Sequence, residues 1–231
     1  MEEKSLSSSF GESLRETIVD SVTDYVEIGL DSVLEDGLLK DFPIASTVVA
    51  LYKIGNSFKE LHNLKKLYVF INEINKGIAS KEKLFKYKKK FESNEKFRNK
   101  EIEYLLVLLD RYVNYDKPQM LAKIYLAYLD ELITWEELTM YAEVIDRFLV
   151  LDCGTLISNS GEVITFHNVG AESVLRLVAL GLMAEETSNS LFEETSRGGF
   201  AVTTSSMNRA SLKERRYKRT EFGSKLADIL R

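Results

Sequence analysis

Few side chains in this 231-residue chain have the chemistry for catalysis: two histidines, His62 and His167, and one cysteine, Cys153. A nucleophilic thiol needs a base that lowers its pKa and a third group that orients that base. No such group stands near Cys153 or His167 in the sequence, so Cys153 reads as a small, buried apolar residue. His62 sits in a lysine-rich helical stretch and reads as a surface or partly packed residue. There is no glycine-rich phosphate loop, no His-Glu-x-x-His pattern and no nucleophile elbow. The adjacent Glu136 and Glu137 are accounted for by a helix start, where carboxylates complement the helix dipole. The sequence therefore predicts a non-enzymatic protein with no catalytic residue, no cofactor and no metal site.

Charge and apolar surface remain as means of binding. The net charge of -5 conceals segregation along the chain: residues 1–42 and 130–152 are acidic, whereas 76–100 and 209–231 are basic. Lys213, Arg215, Arg216, Lys218 and Arg219, with Arg176 upstream, are candidates for nucleic-acid or phosphate contact. Lys83, Lys86, Lys89 and Lys90 form a second candidate basic surface. The alternative for each block is a solvated face that balances acidic segments elsewhere. Asp20, Asp24, Glu27, Asp31 and Glu35 fall in one sector of an amphipathic helix. They read as a solvated stripe, because a cation would need ligands from other elements. Val48, Leu51 and Tyr52 belong to an apolar stretch that meets Lys53. That stretch is shorter than the roughly 20 residues of a membrane span. It offers a partner face, or a membrane face if residues 16–60 insert as a hairpin.

These groups must be positioned mainly by helices, because the chain has only two prolines and little glycine before Cys153. After a serine-rich start, flexible over residues 1–15, helical spacing recurs through a body of residues 16–133. Phe58, Leu61, Leu64, Tyr68, Ile71 and Ile74 mark one helix that stops at Gly77. A basic helix capped by Ser80 follows on the thin seam Leu84, Tyr87 and Phe91. A helix from Glu101 to Tyr115, on Ile102, Leu105, Leu106, Leu109 and Tyr112, and a second after Pro118, on Leu121, Ile124, Tyr125 and Tyr128, are expected at the centre. Thr134 and Glu137 form a capping box with Ile133 and Leu138 as its staple, and a second domain is expected from residue 134. No EF-hand loop precedes it, so calcium is not implied. Residues 163–166 suit a short strand or a connection between helices.

The last third follows a recognisable order. An apolar helix, Glu172 to Met183, ends in Leu180-Gly181-Leu182; a polar insertion near residues 187–212 follows; and Tyr217 to Leu230 supplies a closing helix that starts after Thr220. This order resembles winged-helix domains over residues 134–231. The resemblance implies a mainly α protein, an N-terminal helical bundle followed by a small winged-helix-like α+β domain with a long wing. In a DNA reader the exposed recognition helix carries Arg, Asn, Gln or Lys. Here that face offers Glu172, Ser173 and Arg176, a poor base reader.

The layout also resembles bacterial and prophage-borne proteins of the abortive-infection type, on the stretch Lys40 to Gly55, the helical run Tyr125 to Phe148 and the Leu-Gly-Leu tail. The expected function is macromolecule binding in the cytoplasm, with a protein partner first and homo-oligomerisation open, as in a phage-defence or prophage-encoded factor. A winged-helix transcription regulator that grips nucleic acid and a membrane-perturbing effector that uses residues 16–60 are the alternatives.

Overall fold

The computed structural model describes Phe10, Gly11, Leu14 and residues 58–77, 81–158, 164–165, 170–186 and 215–231. The acidic stripe of residues 20–35, the face at Val48, Leu51 and Tyr52, His167, Lys213 and the insertion at 187–212 lie outside the described residues. Among the described residues the chain is mainly helical with one small antiparallel sheet, and it divides into two units, residues 1–146 and 147–231.

In the first unit, α1 (Phe58–Lys76) is buried on every side from Lys66 to Ile71 and packs most extensively against α4 (Asp116–Leu129). The centre of this unit therefore includes α1, which the sequence pattern had left outside it. Helix α1 stops at Gly77, where a Cβ would fall onto the Leu126 side chain. Helix α2 (Lys81–Ser93) buries Tyr87 and Phe91 as expected. Helix α3 (Glu95–Arg111) starts one and a half turns earlier than the periodicity indicated, because the Asn94 side chain accepts the Phe97 N–H at 3.0 Å and caps it there. Its buried face is Glu101, Ile102, Leu105, Leu108 and Leu109, so Leu108 takes the place expected for Leu106.

Helix α4 has Pro118 in its first turn, where the missing N–H costs nothing. It ends in a Schellman motif: Leu132 N–H donates to the Ala127 carbonyl and Glu131 N–H to that of Tyr128, with Glu131 at φ 52°. Helix α5 (Trp135–Arg147) begins at the expected capping box. Thr134 N–H donates to Glu137 Oε2 at 2.8 Å, and Glu137 N–H donates to Thr134 Oγ1 at 3.2 Å, over buried Ile133 and Leu138. Nearly all of this helix lies in the first unit, with the Trp135 ring 5.5 Å from the rings of Tyr104 and Tyr128. The first unit runs to Asp146, and the capping box opens a helix that packs backward in sequence.

The second unit comprises a 3-10 turn (Val150–Asp152), α6 (Cys153–Ser158), β1 (Ile164–Thr165), α7 (Ala171–Ala179), β2 (Met183–Glu185), β3 (Arg216–Arg219) and α8 (Glu221–Leu230). Strand β3 lies between the other two. Ile164 pairs with Tyr217 on one side, and Met183, Ala184 and Glu185 pair with Arg219, Lys218 and Tyr217 on the other. The Leu-Gly-Leu sequence closes α7 as a second Schellman motif. Gly181 at φ 72° donates to the Val178 carbonyl, and Leu182 donates to that of Leu177. Leu177 and Leu182 are both fully buried, which supplies the apolar contact that accompanies this turn. Thr220 caps α8, as the sequence indicated, by accepting Gly223 N–H, and its hydroxyl donates to the Gly181 carbonyl at 2.8 Å.

Candidate functional site

Helix α7 is positioned by Val174 and Leu177, which face the core of the second unit, and by a polar clasp on its flank. Asp152, fully buried, accepts two hydrogen bonds from the Arg176 guanidinium at 2.7 and 2.6 Å and one from the Ser173 hydroxyl at 2.6 Å. The Arg176 hydrogen bonds hold the Asp152 carboxyl below the usual range, against the opposing effect of burial. The two-pronged geometry matches a planar guanidinium to a carboxylate and fixes the arginine in orientation. Arg176, a candidate for nucleic-acid contact, is thereby engaged within the protein. The exposed residues of α7 are Glu172, Leu175 and Ala179, which share one sector of the helix. Leu175 is 53% exposed, and Leu151, beside the buried Asp152, is 87% exposed.

Strand β3 and the residue before it hold the other described candidates of the C-terminal basic run. Arg215 donates to Glu185 at 3.3 Å, and Lys218 pairs with Glu186 at 3.6 Å. Arg219 turns inward to the Leu156 carbonyl at 3.3 Å. Arg216 is exposed and has no ion-pair partner among the described residues. The carboxylates of β2 and the residue after it thus balance cations of β3 and the residue before it across the strand pair, a pairing that a separation of thirty positions or more hides in the sequence.

In the first unit, the candidate basic surface of α2 splits. Lys83 donates to the Asp130 carbonyl, Lys86 pairs with Glu82 at 3.6 Å, and Lys90 stands 3.9 Å over the Phe97 ring. Lys89 is exposed without an ion-pair partner among the described residues. His62 is partly packed, its Nδ1 2.8 Å from the Tyr115 hydroxyl. Cys153, the first residue of α6, is half-buried rather than buried.

Two polar groups absent from the sequence expectations lie deep in the first unit. Glu101 accepts hydrogen bonds from the Tyr87 hydroxyl, from Tyr128 at 2.7 Å and from Tyr125 at 3.2 Å. Burial raises its pKa, and the three hydroxyls oppose that rise by stabilising the carboxylate. Lys66 donates to the carbonyls of Asp110 and Tyr112 at 2.9 and 2.8 Å, which satisfies orphan acceptors at the end of α3. A signal for Glu101 was present: it lies one turn before Leu105 on the same stripe as Leu108 and Tyr112. The tyrosines at 87, 125 and 128, each on an apolar face, would need a shared acceptor. Glu101 and Lys66 are both buried and engaged by protein groups, an arrangement that serves packing specificity.

Among the described residues no three His, Cys, Asp or Glu side chains converge on a common point, and no helix is long and apolar enough to cross a membrane. Compared with known proteins, the chain matches no described family, no curated protein and no solved structure.

Proposed function

We propose that residues 147–231 form a winged-helix-like module that binds another protein, and that the chain acts by macromolecular contact without catalysing a reaction. The sheet order β1-β3-β2, with α7 leading into β2 through a glycine turn and α8 closing the core, supports the winged-helix reading. One observation carries the choice of partner: α7, the helix in the recognition position, turns Glu172, Leu175 and Ala179 outward while its arginine is held by Asp152. A base-reading face needs arginine, lysine, asparagine or glutamine on that side. Glu172 repels phosphate, whereas covering the half-exposed Leu175 is worth about 1 kcal/mol in a protein contact.

The test has two arms. Full-length protein titrated into labelled mixed-sequence duplex DNA, followed by anisotropy, is expected to show no salt-sensitive binding. Tight binding that weakens steeply with salt and disappears on neutralising Arg215, Arg216, Lys218 and Arg219 would overturn the proposal in favour of a DNA-binding regulator. A photo-crosslinking residue in place of Leu175 is expected to trap a protein in cells, whereas one in place of the exposed Asp228 on α8 is not. Equal trapping at the two positions, or none at position 175, would count against α7 as the binding face.

A further inference from the structure

The hydroxyls around Glu101 come from two helices, Tyr87 from α2 and Tyr125 and Tyr128 from α4. Tyr128 donates to Oε1 at 2.7 Å. On the other side Oε2 and two phenol oxygens form a closed trio: Tyr87 is hydrogen-bonded to Oε2, the Tyr87 and Tyr125 oxygens are 2.5 Å apart, and Tyr125 lies 3.2 Å from Oε2. Each hydrogen bond uses one proton, so three contacts call for three. The two tyrosines bring one each. A carboxylate therefore leaves one contact of the trio without a proton. A protonated Oε2 completes a ring in which every oxygen donates once and accepts once.

The surroundings do little to favour the charged form. Helix α2 brings Lys90, which does favour the carboxylate, but its ammonium is exposed and stands over the Phe97 ring. Helix α5 brings Glu136, whose charge acts on Tyr128 and has the same sign as the carboxylate. Helix α1 presents the Phe70 ring, 5.9 Å from that of Tyr125, and Gly11 of the N-terminal segment lies against Ile102. The buried Lys66 of α1 is engaged at the other end of α3, on the carbonyls of Asp110 and Tyr112. Burial accordingly raises the Glu101 pKa. The two helices that supply the trio are held unequally. Helix α4 buries eight side chains, with Tyr125 fully enclosed, whereas among the described side chains of α2 only Tyr87 and Phe91 are buried. A contact short of a proton is relieved most readily at the element with the fewest buried contacts, which is α2.

We propose that Oε2 of Glu101 with Tyr87 and Tyr125 is a proton-binding lock: with the proton in place α2 is fastened over the carboxyl, and when the proton leaves, α2 opens more often while α1, α3 and α4 stay packed. The lock lies within the first unit and is independent of the α7 contact.

Two measurements on the full-length protein test it. Carbon-13 NMR of the glutamate side-chain carboxyls, with Glu101 assigned by its absence in Glu101→Gln, reads the proton directly. Hydrogen exchange followed by mass spectrometry over roughly pH 4 to 8, corrected for the intrinsic rate, reads the opening of α2. Glu101 is expected to titrate above the ordinary value of about 4.3. The opening of α2 is expected to increase as pH rises from that value through the Glu101 midpoint, by about tenfold for each pH unit between the two, and then to level off. Peptides of α4 should show no such step. Tyr87→Phe and Tyr125→Phe separate the lock from burial alone. Each leaves one contact and one proton at Oε2, so protonation adds no hydrogen bond and the midpoint should fall below that of wild type. If burial alone set the midpoint, removing a donor to the carboxylate would raise it. Far-UV circular dichroism checks that each variant is folded, and two phenylalanine variants keep the test open if one is not. A wild-type midpoint at or below the ordinary value, an α2 opening that ignores the Glu101 titration, or a midpoint unchanged or raised in the folded phenylalanine variants would each overturn the proposal.

Discussion

Gly223 lies where α8 meets the backbone at the end of the Leu-Gly-Leu turn, and Gly223→Ala puts a methyl group against atoms that have nowhere to go. The added Cβ would stand 1.9 Å from the Leu182 carbonyl oxygen, 2.7 Å from its carbon and 2.9 Å from its Cα. Ordinary contact lies near 3.5 Å, so the helix or the turn must retreat by more than about 1 Å. The Leu182 oxygen also accepts Thr220 N–H at 3.1 Å, and Thr220 Oγ1 both donates to Gly181 and caps the Gly223 N–H. Retreat therefore strains the cap as well.

Overpacking of this kind costs about 1–3 kcal/mol, and the upper end applies because no flexible side chain gives way. Loss of the cap adds about 1 kcal/mol, and the better helix propensity of alanine returns about as much. The net expectation is about 3 kcal/mol, or roughly 150-fold in the unfolding equilibrium of the second unit. The chain has one tryptophan, Trp135, and it lies in the first unit. Urea unfolding should accordingly show an earlier loss of far-UV circular dichroism while the tryptophan fluorescence transition stays in place. Gly154→Ala is the control. Its Cβ meets nothing within 4 Å, and it should be neutral or stabilising by about 0.5 kcal/mol. A Gly223→Ala protein within about 0.5 kcal/mol of wild type would refute the reasoning, since such a change is the size expected of an uncrowded surface site.

Two further perturbations follow from the same structure. Gly181→Ala forces a Cβ into the left-handed region at φ 72° and should cost about 1–2 kcal/mol, read as a lower melting temperature for the second unit. Because burial raises the Glu101 pKa, its protonated form is the one favoured by folding. Its contribution to stability is present below the ordinary value of about 4.3 and is lost as pH rises through the higher folded value. The stability of wild type relative to Glu101→Gln, followed by Trp135 fluorescence, should therefore fall as pH rises from about 4, and a flat difference across that range would contradict the assignment.

What the sequence made legible is what short-range rules control. The Thr134 and Glu137 capping box, the stop at Gly77, the glycine turn at Gly181 and the helix start at Thr220 each depend on partners within a few positions. Residues whose partners are distant were read by polarity alone. Arg176 counted as a surface cation because two elements separate it in the chain from Asp152, which holds it, and Glu101 was passed over because its three hydroxyl donors come from two other helices. The start of α3 was displaced because the basic residues around Asn94 obscured its cap, and the buried Lys66 was hidden by its own charge.

The sheet of the second unit has a consequence for how the chain reaches its fold during synthesis. Among the described residues, strands β1 and β2 do not pair with each other, and each pairs with β3, which is made after all of residues 187–214 have been added. Two outer strands of two and three residues gain little alone. The nascent unit must therefore hold β1, α7 and β2 without their common neighbour until Arg216 to Arg219 leave the ribosome, and its folding is set by that late arrival and not by the order of its earlier parts.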